Sequence, residues 1–206
     1  MTAPHVVNEE MRSYYERRAR DYDDWWLGIG DFADRKRPGW TEEVRELERV
    51  VRDLPAARVL DVACGTGFLT GQLRGEIVAL DQSTAMLAIA RRRLPGARLV
   101  QGEAVPLPFA DGEFDRLFTS HFYGHLLPAE REAFLAEARR VAGELVVVDA
   151  ARREGVPAEG WPERPLGDGT TYRVYKRFFG AAELASELGR GDVLHEGRWF
   201  VVVSAS

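Results

Sequence analysis

The stretch LDVACGTGFLTGQL at residues 60–73 decides the fold class of this chain. A short apolar run leads to an acid, Asp61, and glycines follow at positions 65, 67 and 71. Glycines behind an apolar run typically bring backbone close to a ligand. A dinucleotide-binding turn would have its third glycine one position earlier, and Asp61 would repel the phosphates. A ligand with a cationic amine suits the acid better, and a glycine-rich turn without a ligand is the alternative.

Composition is that of an ordinary globular protein. The 206 residues suffice for one sizeable domain, and apolar residues make up 45% of them. A net charge of −5 leaves no broad cationic field, so we expect no nucleic-acid partner. The single cysteine, Cys64, fits a reducing compartment. The N-terminal stretch lacks the apolar core of a signal peptide, and apolar runs are strand-sized, so we expect a cytoplasmic monomer or homodimer without membrane insertion.

Short apolar, β-branched runs alternate with helical patterns from residue 58 onward. The predicted strands lie at residues 58–63, 76–80, 97–101, 115–119, 144–149 and 199–203. The predicted helices lie at residues 67–74, 83–93, 128–141 and 181–189. This alternation predicts an α/β fold with a mostly parallel sheet and helices on both faces.

Other segments depart from this alternation. A stretch near 192–196 and the run 199–203 are two residues apart, so they must pair as a C-terminal antiparallel hairpin. Residues 152–170 contain several glycines and prolines, show little periodicity, and are predicted to be irregular. A further helix is predicted from Thr41, a good N-cap with acids in the first turn.

Four motifs in order resemble those of class I S-adenosylmethionine-dependent methyltransferases. They are DVACGTG at 61–67, IVALDQSTAML at 77–87, QGEAVPLPF at 101–109 and DGEFD at 111–115. Four motifs at the right intervals are far more specific than one glycine turn. The resemblance implies a Rossmann-like, doubly wound α/β sheet in a single domain, residues 1–206. Residues 1–54 would form an N-terminal helical lid and residues 55–206 the core, with S-adenosyl-L-methionine as the cofactor.

The resemblance assigns the parts of the cofactor to residues that follow successive strands. Asp61 and the turn backbone would hold the methionine part, and Asp81 would accept from both ribose hydroxyls. Gln82 or Met86 would flank the adenine. Glu103, where most family members have Asp, would accept from the adenine amino group or remain a solvated strand-end residue. In full, the implied cofactor-binding residues are Tyr14, Tyr22, Asp61, Ala63, Gly65, Thr66, Gly67, Asp81, Gln82, Met86, Glu103, Ala104 and Ser120.

The segment after the fourth strand contains two candidate catalytic residues, His121 and His125. Methyl transfer from a sulfonium chiefly needs positioning, and a base is required only where the acceptor must lose a proton. Histidine is the usual side chain for proton transfer near neutral pH. His125 precedes two leucines and is equally well interpreted as a packed core histidine. No third ligand with recognisable spacing follows the pair, so no metal is expected.

A charged helix predicted from Asn8 to about Asp24 resembles the family's lid, in which a tyrosine approaches the cofactor. Because this segment is mostly charged, we expect few buried contacts to hold it. Trp25, Trp26 and Trp40 are candidates for an aromatic acceptor wall or for ordinary packing of the lid.

Three function classes follow from these observations. The leading one is an enzyme that methylates a small molecule, similar to the branch that includes quinone C-methyltransferases, an analogy that sets no substrate. A second is a module that binds S-adenosylmethionine without catalysis. A third is a nicotinamide-dependent oxidoreductase, which Asp61 and the late third glycine disfavour.

Overall fold

A computed structural model describes residues 9–206, and the predicted helix start at Asn8 and the stretch before it lie outside these residues. The strands are β1 (Ala57–Val62), β2 (Gly75–Asp81), β3 (Arg98–Gln101), β4 (Phe114–Ser120), β5 (Ala142–Ala150), β6 (Glu159–Gly160), β7 (Glu163–Pro165), β8 (Thr171–Arg173), β9 (Lys176–Arg177), β10 (Asp192–Glu196) and β11 (Phe200–Ala205). The α-helices are α1 (Glu9–Arg18), α2 (Tyr22–Leu27), α3 (Trp40–Asp53), α4 (Thr84–Arg93), α5 (Pro128–Val141) and α6 (Ala181–Glu187). None of these helices is long and apolar enough to cross a bilayer.

The main sheet has seven strands in the order β10-β11-β5-β4-β1-β2-β3. Strands β1 to β5 pair in parallel, whereas β11 runs antiparallel to both β5 and β10. This confirms the predicted mostly parallel, doubly wound sheet with a C-terminal antiparallel hairpin. The strand order reverses between β1 and β4, and in such sheets ligands bind at the carboxyl ends of the strands beside that reversal.

Alternating side chains of the central strands bury both faces of the sheet. In β5, Val146 and Val148 pack in the same cluster as Leu47 of α3, whereas Leu145 and Val147 pack in the cluster that contains Phe134 of α5. Successive residues of a strand point to opposite faces, so a strand covered on both sides reads as a continuous apolar run. Helices therefore lie on both faces, as the sequence predicted.

Helices α4, α5 and α6 begin within one residue of the predicted positions. The prediction that Thr41 caps a helix is wrong, because α3 begins at Trp40 with Gly39 as its N-cap and Thr41 lies inside the helix. The Ser83 hydroxyl accepts a hydrogen bond from the backbone N–H of Met86 at 3.0 Å and so caps α4.

The helix predicted at residues 67–74 is wrong. Only a single 3₁₀ turn, Thr70–Gln72, forms there. Gly67 has a left-handed φ of +77° and Leu73 has an extended backbone. The helical conformation therefore cannot continue past the 3₁₀ turn in either direction.

The segment predicted to be irregular contains short strands instead. Strand β6 pairs with β9 and β7 with β8, both antiparallel, in two small ribbons beside the main sheet. Strands of two or three residues are too short to leave an alternating pattern in the sequence. Their partners also lie at residues 171–177, beyond the predicted boundary, so the ribbons have no local signal.

The N-terminal helix is broken and more firmly held than predicted. A 3₁₀ turn, Ala19–Asp21, separates α1 from α2, although one helix was predicted across both. Glu16 accepts hydrogen bonds from the Ser83 and Thr84 hydroxyls and from the Ala85 backbone N–H at the start of α4. The prediction of few contacts was therefore wrong, because the charged side chains of α1 are used as hydrogen-bonding groups rather than left in solvent.

Candidate active site

A cleft opens at the carboxyl ends of β1, β2 and β4, beneath α1, and we refer to it as the first cleft. Together with its solvent-filled mouth it encloses about 570 Å³. Its walls are Met11, Tyr15, Tyr22, Ala63, Gly65, Leu80, Asp81, Gln82, Met86, Gly102, Glu103, Ala104, Ser120, His121, Phe122 and His125. A smaller second cleft adjoins it and is lined by Tyr22, Trp26, Asp61, Ala63, Cys64, Phe68, Leu69, Thr70 and Ser120.

The glycine turn after β1 forms the boundary between the two clefts. Ala63, Gly65 and Gly67 all have left-handed backbone, with φ of +59°, +57° and +77°. A Cβ added to Gly67 would lie 2.8 Å from a Leu94 side-chain carbon, whereas one added to Gly65 would lie 3.7 Å from the Tyr22 ring. A side chain on Gly67 therefore collides with the packing of the domain, and one on Gly65 enters the cleft.

Asp61 lies at the end of β1 and is only 1% exposed. Its Oδ2 accepts a hydrogen bond from the Thr70 hydroxyl at 2.5 Å, but its Oδ1 is buried without a hydrogen-bond partner. Burial raises the pKa of Asp61 to about 8. A buried carboxylate oxygen without a partner is costly, and a cationic donor in the second cleft would remove that cost.

Asp81 ends β2 at the floor of the first cleft. Its two carboxylate oxygens accept backbone N–H bonds from Gly65 and Ser83, each at 2.8 Å. Burial raises its pKa to about 6, against the lowering effect of these hydrogen bonds. Each oxygen keeps a free lone pair, so the carboxylate is held in place by the turn while it remains able to accept from a ligand.

The structure brings together most of the predicted cofactor residues. Gln82, Met86, Glu103 and Ala104 line the first cleft beside Asp81. Burial separates these four: Met86 and Ala104 are buried, Gln82 is half-buried, and Glu103 is exposed at the rim. Apolar walls with a polar rim match what a flat, heteroatom-containing ring requires.

Three predicted residues, Tyr14, Thr66 and Gly67, line neither cleft. Tyr14, a residue of α1, is buried, and its hydroxyl accepts a hydrogen bond from Arg18 at 3.1 Å. The Thr66 hydroxyl donates to Asp23 at 2.6 Å, which ties α2 to the glycine turn. These three residues hold the walls of the clefts rather than form them.

His121 follows β4 in a strained, left-handed backbone conformation, with φ of +56°. Its ring packs against Trp25 and Trp26 at centroid distances of 4.9 and 5.0 Å. Its Nε2 is buried without a hydrogen-bond partner. Burial, followed by the positive charge of Lys176, lowers the pKa of His121 to about 3, so the ring is neutral at pH 7. The unpartnered nitrogen is a hydrogen-bonding group that the protein itself leaves unused.

His125 makes hydrogen bonds through both ring nitrogens. Its Nδ1 lies 2.5 Å from the Tyr175 carbonyl oxygen, so that nitrogen must carry the proton. Its Nε2 then accepts from the Tyr15 hydroxyl at 2.8 Å. Burial and the charge of Lys176 lower the pKa of His125, which keeps this neutral tautomer. His125 therefore fixes the direction of the Tyr15 hydroxyl.

Tyr15 is a cleft residue that the sequence analysis did not select. Its ring lines the first cleft, and burial raises the pKa of its hydroxyl to about 12. Met11, Tyr15 and Tyr22 all line this cleft, at intervals of four and seven residues. This spacing places them on one helical face, but Tyr14 also lies at helical spacing from Met11 and Tyr22, so the packing of α1 rather than the sequence selects Tyr15.

The three tryptophans divide between packing and the site. Trp26 and Trp40 are buried in the core, where the Trp40 Nε1 donates to the Trp26 carbonyl at 2.9 Å. Trp25 is half-buried and lies against His121.

Cys64 packs beside Ala79, Ala90 and Leu94, and burial raises the pKa of its thiol. Residues 9–206 contain no cluster of three His, Cys, Asp or Glu side chains arranged for a metal ion.

Comparison with known proteins agrees with this geometry. The family described as "Methyltransferase domain" matches residues 60–144. The structure of DhpI with SAH aligns with 98% of this chain and 97% of that chain, with a TM-score of 0.75 and 28% identity. Residues 60–144 are therefore similar to a methyltransferase domain. The structure of DhpI with SAM and HEP aligns equally well, at 27% identity over 99% of both chains and a TM-score of 0.75.

The chain also resembles curated proteins over part of their length. It is 40% identical over 111 residues to the demethylmenaquinone methyltransferase of Beutenbergia cavernae, a match that covers 51% of this chain and 45% of the relative. The chain therefore spans about half the length of the curated relatives it matches. The family match ends at residue 144, before the ribbons of residues 159–177. It therefore covers the glycine turn and Asp81 but not the segment packed on α1.

Proposed function

We propose that this methyltransferase domain binds S-adenosyl-L-methionine and transfers its methyl group to a small-molecule acceptor. The observation that carries the proposal is the joined pair of clefts. Tyr22, Ala63 and Ser120 line both of them. One buried carboxylate, Asp61, faces the second cleft, and another, Asp81, faces the first. An elongated ligand with an ammonium group at one end and a ribose further along would use both acids.

The unpartnered polar atoms of the clefts fit this cofactor. The Asp61 Oδ1 would accept from the ammonium group, and the Asp81 oxygens would accept from the ribose hydroxyls. The Ser120 hydroxyl is also buried without a partner between the two clefts, where it can hydrogen-bond to the amino-acid part. Glu103 and the Ala104 backbone N–H would contact the adenine edge, with Met86 against its face.

Positioning is the main contribution of the protein in the mechanism that we propose. When bound, the cofactor supplies a methyl group that its sulfonium has already activated, so no nucleophilic side chain is needed. Tyr15, His121 and His125 lie at the end of the first cleft that faces α1. The neutral His121 would hydrogen-bond to the acceptor through Nε2, and His125 would hold the Tyr15 hydroxyl in place. Helix α1 would exclude water from this end.

The remaining parts of the proposal concern the whole chain. Residues 1–54 would act as a helical cap on a core of residues 55–206 in one domain. The chain would act in the cytoplasm as a monomer or homodimer, which fits a single cysteine without a disulfide partner. The net charge of −5 favours a small-molecule substrate over a nucleic acid.

Calorimetry followed by turnover tests the proposal. S-adenosylhomocysteine should bind to the protein, and NADH at the same concentration should not. Incubation of the protein with S-adenosylmethionine and a panel of small acids, phenols, quinones and amines should then yield a methylated product. Binding of NADH alone would contradict the methyltransferase assignment. Binding of S-adenosylhomocysteine without methylation of any acceptor would favour a non-catalytic binding module.

A further inference from the structure

Two arginines, one at the end of α1 and one on β7, lack the partners that buried cations normally have. Arg18 is 7% exposed, and its Nη2 is buried without a hydrogen-bond partner. Arg164, half-buried on β7, likewise has a buried Nε without a partner. Among residues 9–206, neither side chain forms an ion pair. A buried guanidinium donor without an acceptor costs free energy, so both atoms indicate a missing acceptor.

Aromatic rings compensate part of the charge of Arg18 but supply no hydrogen-bond acceptor for the free nitrogen. The guanidinium carbon lies 5.1 Å from the Tyr22 ring centroid and 5.0 Å from that of Phe32. The Nη1 donates to the Tyr14 hydroxyl at 3.1 Å. The packing therefore holds the guanidinium in one place and leaves Nη2 as the donor to be satisfied.

The buried carboxylate of this region, Asp149, already has its own partners. Asp149 is fully buried, forms an ion pair with Lys176, and accepts backbone N–H bonds from Gly124 and Ala150 at 2.7 Å each. Lys176 lies close enough to His121 and His125 to lower the pKa of both, after the larger effect of burial, and Arg164 acts on both in the same direction. This region therefore contains more cations than carboxylates, although the chain as a whole has a net charge of −5.

These cations lie beside the wall that α1 and α2 form along the clefts. Arg18 packs on the ring of Tyr22, which lines both clefts. Arg164 pairs in the β7–β8 ribbon with Tyr172, whose ring lies 5.7 Å from the Tyr14 ring that Arg18 contacts. Neither histidine of the first cleft is protonated at neutral pH. A neutral acceptor would leave both guanidinium atoms unsatisfied, whereas an acceptor with an oxyanion would supply their missing partner and balance the local charge.

We propose that the methyl acceptor carries an oxyanion, a carboxylate or a phosphate group, that binds to Arg18 and Arg164. This inference rests on the proposed function, because it names the substrate class of the same site. The planar guanidinium favours such groups through paired hydrogen bonds. A neutral quinone would not use these donors.

Anion binding to the complex with S-adenosylhomocysteine tests the inference. Calorimetry with inorganic phosphate and, separately, with acetate at constant ionic strength distinguishes a phosphate group from a carboxylate. At least one of them should bind, and Arg164→Gln and Arg18→Met should each weaken it by about tenfold or more, the scale of a hydrogen bond between charged groups. Arg91→Gln, which changes an exposed arginine of α4, is the matched control and should bind as the unchanged protein does.

The outcomes separate this inference from the function on which it rests. If S-adenosylhomocysteine binds but neither anion does, or if Arg91→Gln weakens the anion as much as Arg164→Gln, the oxyanion site is refuted while methyl transfer stands. If S-adenosylhomocysteine itself does not bind, the proposed function fails. Should Arg18→Met prove unfolded by circular dichroism, the half-buried Arg164 decides the question.

Discussion

The half of the site that contains the two acids and the half beneath α1 are assembled from very different lengths of chain. In the first half, Gly65 and Asp81 are joined by a hydrogen bond across 16 positions. The two acids and the residues proposed to contact the adenine lie between Asp61 and Ala104, and of the predicted cofactor residues that line the clefts only Tyr22 and Ser120 lie outside that stretch. In the second half, the Tyr15 hydroxyl bonds to His125 across 110 positions. A compact segment of sequence can be matched to one family. A surface that distant segments share changes whenever any one of those segments changes.

The matched residues follow this division only in part. The family match covers residues 60–144, which include the glycine turn, Asp81, His121 and His125 but neither Tyr15 nor Arg164. In an α/β sheet the strand ends fix the ligand position, and the loops and caps above them decide which ligand is accepted. The family resemblance therefore covers the cofactor half and the two histidines, whereas Tyr15 and Arg164 can be assigned only from their contacts in the structure.

The largest expected effect comes from the glycine turn. Gly67→Val should abolish binding of S-adenosylhomocysteine, because the new side chain collides with Leu94 and is strained at positive φ. Gly65→Val should abolish binding with less effect on folding, since its side chain would enter the cleft. Gly155→Val, at a similar φ of +74° with open space around its Cβ, is the control. Calorimetry and circular dichroism measure the two effects, and tight binding by Gly65→Val would contradict the proposed cradle.

The next largest effect concerns Asp61, whose replacement should stabilise the ligand-free protein but weaken the binding of S-adenosylhomocysteine. The folded-state pKa is about 8 and the unfolded value is about 4, so ionisation is resisted by the fold. The ligand-free protein therefore loses stability as pH rises from about 4 to about 8. Asp61→Asn should raise the melting temperature at pH 8 and leave it nearly unchanged near pH 4. It should also weaken the binding of S-adenosylhomocysteine by about 1–3 kcal/mol.

The pH dependence of binding gives this comparison a second measurement. Affinity of the unchanged protein should rise between pH 6 and pH 7.5, because Asp61 must ionise to accept from an ammonium group. Asp61→Asn should remove that rise. An Asp61→Asn variant with unchanged affinity would show that the acid lies outside the cofactor site.

How much of the molecule the sequence predicts follows from the same division. The parallel strands, the C-terminal hairpin and α4 were predicted because their signals are local: apolar runs, a two-residue connection and a helical pattern. The ribbons at residues 159–177 were missed because each strand is two or three residues long. Tyr15 was missed in favour of Tyr14 because only the broken helix, with its 3₁₀ turn, fixes which face meets the cleft.

A smaller effect is expected from Tyr15→Phe, which removes one hydroxyl and keeps the ring. The variant should bind S-adenosylhomocysteine within about twofold of the unchanged protein, because the hydroxyl bonds to His125 rather than to the acids. Turnover should fall by about tenfold, the scale of one hydrogen bond. Tyr123→Phe is the matched control: its hydroxyl bonds to Glu187 and lines neither cleft. A loss of cofactor affinity in Tyr15→Phe equal to its loss of turnover would refute the separation of the two halves.

The smallest effect concerns whether α1 opens. Met11 and Tyr14 of this helix are buried, and Glu16 binds to the start of α4, so α1 is closed in this structure. Closure nevertheless rests on exposed or half-buried hydrogen bonds at one end, which local fluctuations break more readily than core packing. Glu16→Gln keeps the size of the side chain and removes its charge. It should destabilise the closed state of α1 by about 0.5–1.5 kcal/mol.

Hydrogen exchange of residues 11–24 measures this closing. Without ligand, these amides should exchange faster in Glu16→Gln than in the unchanged protein, while β1 and β4 exchange equally slowly in both. Saturating S-adenosylhomocysteine should slow the exchange of residues 11–24 in each, since Tyr15 and Tyr22 would then cover the bound ligand. Strong protection of these residues that is the same with and without ligand would identify α1 as a fixed wall. The acceptor would then have to enter from the side of the ribbons, past Arg164.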